Sequence, residues 1–267
     1  MSLDLIEPVD QILEKVKELT GKHVKFIERD DLPTDATLKL ARRNMPSHLI
    51  LYKAEHDEVI NHLIAHECGH ALRMLAAPEE KRLIPSMNEQ VKRNALAEIE
   101  PEAQRLSSVF RSDKLAPVLN LWYSGIIRQL TNLPPDIMVE KWIYDEYPPL
   151  RPYQSRSIEK QHKEALAGLS LQVTKMTPRK ILDASNIMNY AFFRIVGMHF
   201  GVNYVRPYNS SPYFDRGRKL ATITENYVDS YEGDIEMVNK WADFLGLSGW
   251  FTWTDFENIP ENYEQMP

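Results

Sequence analysis

Two histidines four residues apart, His66 and His70, flank Glu67 inside a run whose apolar residues recur with the helical period. Residues four apart on an α-helix share a face, with Cβ atoms about 5–6 Å from one another. The pair therefore converges on one point only if residues 58–76 are helical. With His66 as reference, Ile60, Ile64, Cys68, Ala71, Leu72 and Leu75 fall on the far side. Val59, His62, Leu63, Glu67, His70 and Met74 fall on or near the motif side. The spacing predicts a helix with an apolar back and a polar front. Asp57 is its expected N-cap and Pro78 its stop. Gly69 costs a helix about 1 kcal/mol relative to Ala, which marks a point of close approach by another element, such as a strand.

The residue types suit metal chemistry. A neutral imidazole nitrogen is a good zinc ligand. Glu67 stands about 100° around the helix from His66, beside the point of convergence. From there a carboxylate can take a proton from an attacking water and pass it to a leaving group. His66, Glu67 and His70 together predict a zinc-dependent hydrolase, with Zn2+ as cofactor.

Composition narrows the setting. The chain has 267 residues, enough for one large domain or two small ones, and is 43% hydrophobic and 26% charged. A net charge of −6 and the lack of a long Lys/Arg run argue against nucleic acid or an anionic membrane as partner. Cys68 is the single cysteine, so no intrachain disulfide can form. The acidic N-terminus lacks a signal-peptide pattern. The most apolar long stretch, 181–202, carries Asp183, Arg194 and His199 and is too interrupted to span a membrane. A cytoplasmic protein is the expectation.

Along the chain, residues 4–20 have helical spacing that Gly21 ends, Val24–Ile27 and His48–Tyr52 suit strands, and 30–37 suits a loop. Helices are expected at 87–111, 117–130, 136–144, 157–174, 178–200 and 232–245, with a long loop at 203–217 and an aromatic, acidic tail from Trp250. Pro134 and Pro135 are read as opening the 136–144 helix and Pro148–Pro149 as closing it. The fold class expected is α+β. Residues 1–85 form an N-terminal part with a small sheet and the motif helix, and residues 86–267 a mainly helical lobe, in one bilobal catalytic unit.

The segment Leu63–Leu72 resembles the active-site helix of the zincin metallopeptidases, and the likeness extends over residues 48–76. It implies a peptide or protein substrate. It also implies that His48–Tyr52 is an edge strand pairing with extended substrate. The long metzincin pattern is absent, because Arg73 and Ala76 stand where it requires Gly and His. The gluzincin branch takes its third ligand from a carboxylate on a later helix. Asp136 and Glu140, four residues apart, suit that role: one binds the metal while the other hydrogen-bonds a ligand histidine. Glu140 is the preferred ligand and Asp136 the supporting residue. A rival, Glu98-Ile99-Glu100-Pro101-Glu102, has the spacing of the ImmA/IrrE-type regulatory metallopeptidases without the small residues that follow the acid there.

Other residues carry weaker signals. His62 stands one turn before His66 and suits a cleft-lining or partly exposed histidine. His162 and His199 are candidates for stabilising an oxyanion, though each also suits a structural role. Tyr204, Tyr208 and Tyr213 suit either a loop over a cleft or anchors for an irregular segment. Cys68 suits a small buried apolar residue. The alternatives to a peptidase are a regulatory or binding protein with a structural or partner-restricted metal, and an amidohydrolase acting on small amides.

Overall fold

In chain order the elements are α1 (Glu7–Thr20), β1 (Val24–Glu28), β2 (Ala36–Lys39), β3 (His48–Tyr52), α2 (Ile60–Ala76), β4 (Leu83–Ser86), α3 (Glu89–Arg105) and α4 (Ser112–Glu146). There follow α5 (Arg151–Leu166), α6 (Leu171–Met176), α7 (Arg179–Phe200), α8 (Phe214–Thr224), α9 (Tyr231–Leu245) and β5 (Thr252–Asp255). The structure, a computed structural model, describes residues 3–32, 34–42, 45–56, 58–105 and 112–259. Helices dominate and the strands form two small sheets, which is an α+β composition. Among the described residues no helix is long and apolar enough to cross a membrane.

The chain divides into two units. The first comprises Met1–Arg82, Met138–Glu159 and Asp255–Pro267, and the second Leu83–Ile137 and Lys160–Thr254. The sequence reading placed one boundary near residue 85. The chain instead returns to the first unit through the end of α4 and the start of α5, carrying Glu140 with it.

In the first unit, α1 buries Val9, Ile12 and Val16, the stripe its periodicity predicts, and ends at Gly21, whose φ of 69° no side chain opposes. The sheet has the order β1-β3-β2. β1 pairs with β3 in parallel (Val24↔His48 to Glu28↔Tyr52), and β2 pairs with it antiparallel (Ala36↔Tyr52 to Lys39↔Leu49). His48–Tyr52 is thus the central strand, which corrects the expectation of an edge. Its near-continuous apolar run is what a strand buried on both faces requires, and four of its five residues are buried. β2 lies at an edge of this sheet, partly within the stretch expected to be loop.

One core joins α1, the sheet, α2 and the end of α4. Val9, Ile12, Ile50, Ile64, Cys68, Val139 and Ile143 are all buried in it. Each large aliphatic removed from water contributes roughly 1.5–3 kcal/mol. α2 starts at Ile60, after Val59, with no side-chain cap, and the expected N-cap Asp57 lies outside the described residues. The helix buries more than its predicted back, since His62 and Met74 on the motif side are also buried. The element that approaches Gly69 is α4 rather than a strand. A Cβ there would stand 2.7 Å from Val139 Cγ1 and 3.3 Å from Trp142 Cζ3.

In the second unit, α3 is described over Glu89–Arg105; Met87 and Asn88 of the expected 87–111 helix precede it, and residues 106–111 lie outside the described residues. The two helices expected at 117–130 and 136–144 are one, and Pro117, Pro134 and Pro135 lie inside it. A proline in a helix interior removes a hydrogen bond at a cost of about 3 kcal/mol. Here Leu133, Pro134, Pro135, Asp136 and Ile137 are all buried, so packing outweighs the break that propensity predicts. α8 occupies the end of the expected loop at 203–217 and fits against α7 through Gly217, where a Cβ would fall 2.5 Å from the Tyr190 ring. β4 and β5 form a two-stranded sheet. The start of the aromatic tail is packed: Trp250 is buried and its carbonyl accepts from Tyr123 Oη at 2.8 Å.

Candidate metal centre

α2 places His62, His66 and His70 on successive turns. The Nε2 atoms of His66 and His70 are 3.0 Å apart, with their rings edge to face at 4.7 Å. Two metal–nitrogen bonds of 2.0–2.1 Å at a tetrahedral angle span about 3.3 Å. The convergence that four-residue spacing predicts is therefore realised in the side chains.

Glu140 lies across the His66 ring from that point. Its Oε1 is 2.8 Å from His66 Nδ1, and both of its oxygens are 3.1 Å from His62 Nε2. Gln154 Nε2 donates to Glu140 Oε2 at 2.6 Å and to the Glu140 carbonyl oxygen at 2.8 Å. Burial alone would push the Glu140 carboxyl up. The facing His62, with the hydrogen bonds from His62 and His66, holds it well below the usual carboxylate range. An ionised carboxylate only accepts, so Nδ1 of His66 carries a proton toward it. In the tautomer with its proton on Nδ1, Nε2 carries the lone pair and faces His70.

Glu140, expected from the sequence as a metal ligand, meets His66 at Nδ1, and its oxygens do not stand where the Nε2 atoms of His66 and His70 meet. Asp136 is buried one turn earlier on the same uninterrupted helix, so it shares Glu140's face of α4. His62 is 2% exposed and engaged with Glu140, not a cleft-lining residue.

Glu67 reaches the sheet. Its Oε2 accepts from the backbone N–H of Leu38 on β2 at 2.9 Å. One carboxylate oxygen is thereby anchored by the edge strand. Cys68, directly after it, faces the core, and burial pushes its thiol up.

The remaining candidates are held by contacts within the second unit. Glu98 accepts from Trp250 Nε1 at 3.2 Å and pairs with Lys180, and Glu102 accepts from the backbone N–H of Arg179 at 2.6 Å. Glu100 is exposed and accepts from Gln104 Nε2 at 3.2 Å. His162 Nε2 bonds the Tyr204 carbonyl at 2.8 Å, with its ring edge to face with Phe193. Burial lowers its pKa, which suits a neutral structural histidine. Tyr204, Tyr208 and Tyr213 are all buried, as anchors of an irregular segment are. His199, in the last turn of α7, is half-buried beside Phe200.

Sequence reasoning missed Gln154 because it started this helix at residue 157. The signal was present in Pro152, a residue type favoured in the first turn of a helix. A start at Arg151 places Gln154 and Ile158, four residues apart, on one face, and these are the residues α5 buries.

Set against protein-family models, curated proteins and solved structures, the chain matches none.

Proposed function

We propose that this chain is a metal-dependent hydrolase, with zinc as the metal and a peptide bond as the target. The observation that carries the reading is the meeting of His66 and His70 at their Nε2 atoms, with Glu140 fixing the far side of the His66 ring. The donor set fits a borderline metal such as zinc: two neutral imidazoles and a nearby carboxylate. His66 and His70 would hold the ion. The third ligand would be a carboxylate, for which the sequence offers Glu140 and Asp136.

When bound, the metal would supply a Lewis acid that lowers the pKa of water and polarises a carbonyl. The chain's own groups do the rest. Glu67 takes a proton from the attacking water and returns it to the leaving amine. The Leu38 N–H keeps the Glu67 carboxylate oriented and stabilises its charged form. Glu140 holds His66 in the tautomer that keeps its Nε2 lone pair available. The zincin-like assignment and the word peptidase rest on the resemblance of residues 48–76. In that resemblance the strand that pairs with substrate becomes β2, the edge strand beside Glu67, in place of β3.

Glu67→Gln is the direct test. It keeps the shape of the side chain and its contact to β2 but cannot take the proton. Metal content is expected to match the parent chain, while cleavage of a peptide library falls by about 10²–10⁴-fold. Equal cleavage by the two proteins would contradict the reading.

One observation favours a structural metal instead. Ligand atoms of His62, His66 and Glu140 also lie within 4.8 Å of one another, in a buried cluster. Against it, three donors already satisfy Glu140. Metal that stays bound in His62→Gln, with cleavage retained, would remove that reading.

A further inference from the structure

We infer that Gln154 is a positioning residue for the metal centre: it fixes Glu140, and through Glu140 the plane and tautomer of His66. This rests on the metal reading of His66 and His70. The Gln154 side-chain amide has two N–H bonds, and both point at Glu140, one to the carboxylate and one to the backbone carbonyl of the same residue. That pairing ties the carboxylate to its own main chain, so its oxygens cannot swing as α4 and α5 breathe. Glu140 and Gln154 are each 1% exposed, so water does not compete for these bonds.

The cost of the arrangement shows what it favours. Among the described residues, Gln154 Oε1 and His62 Nδ1 are buried without a hydrogen-bond partner. A buried unsatisfied group is unfavourable and needs a compensating reason. Turning the amide over would set its oxygen against the Glu140 carboxylate, so the amide orientation is dictated by Glu140. The network leaves two acceptors unmatched and aims two donors, His62 and Gln154, at one carboxylate, whose third contact is the proposed ligand His66. A glutamine that served only to join α4 to α5 would gain more by satisfying its own oxygen.

The test uses the full chain and Co2+ as probe, with affinity read by chelator competition and coordination read from the visible spectrum. Gln154→Met keeps the length and removes both donors. Gln154→Asn keeps the amide but cannot span both acceptors. Each is expected to weaken Co2+ binding about tenfold or more and to alter the visible bands, while the metal-free protein still unfolds cooperatively. In a Glu140→Gln background the same changes should add little, because the effect passes through Glu140. Parent-like Co2+ affinity in a folded Gln154 variant would overturn the inference, as would effects that multiply in full with Glu140→Gln. Failure of the parent chain to bind Co2+ would overturn the metal reading itself, and this inference with it.

Discussion

Glu140 Oε1 stands 2.8 Å from Nδ1 of His66, across the imidazole from the nitrogen that faces His70. A carboxylate in that position orients a ligand and raises its basicity. Glu140→Gln is therefore expected to weaken metal binding by about 10–100-fold without abolishing it. His70→Ala, which removes a proposed ligand, should abolish stoichiometric binding. Titration of metal-free variants with zinc against a competing chelator separates the two classes. Complete loss in Glu140→Gln would give Glu140 the ligand role read from the sequence.

At Gly69 the side chains of α4 come close to the backbone of α2. In an open helix Gly→Ala stabilises by roughly 1 kcal/mol. Here the added methyl would meet Val139 Cγ1 at 2.7 Å, and overpacking of this kind costs about 1–3 kcal/mol. Gly69→Ala is expected to lower the denaturation midpoint, and Val139→Ala in the same chain to recover part of the loss. Additive losses in the double variant would show that the contact is not the cause.

His48 supplies a pH dependence distinct from the His66–His70 pair. It is buried on the central strand, where Nδ1 accepts from the Ala41 N–H at 2.9 Å and Nε2 lies 2.8 Å from Thr20 Oγ1. Burial, with a smaller contribution from Lys22, lowers its pKa to about 4. An unfolded histidine titrates near 6.5, so the unfolded chain takes up this proton first as pH falls. Stability from the neutral ring is full above about pH 6.5 and is lost as pH drops toward 4. Urea unfolding across that window should show a slope that His48→Gln flattens. An unchanged slope would remove His48 as the cause.

Much of the first unit was legible in sequence because its signals are local. The spacing of Val9, Ile12 and Val16 with Gly21 gave α1, and the run His48–Tyr52 gave a strand. The His66–His70 pair gave the helix that bears it. What failed depended on distant packing. β2 has four residues beside a turn-rich stretch, and only its pairing with β3 makes it a strand. The helix through Pro134 and Pro135 survives because its neighbours bury it. Spacing alone could not show that Glu140 meets Nδ1 of His66, since Asp136 and Glu140, at i and i+4, share a face.

The metal content of the purified, metal-replete chain, measured beside His70→Ala, tests the central claim most directly. About one zinc per chain is expected in the parent, and close to none in His70→Ala. A parent chain that carries no metal, or a His70→Ala variant that carries as much as the parent, would contradict it.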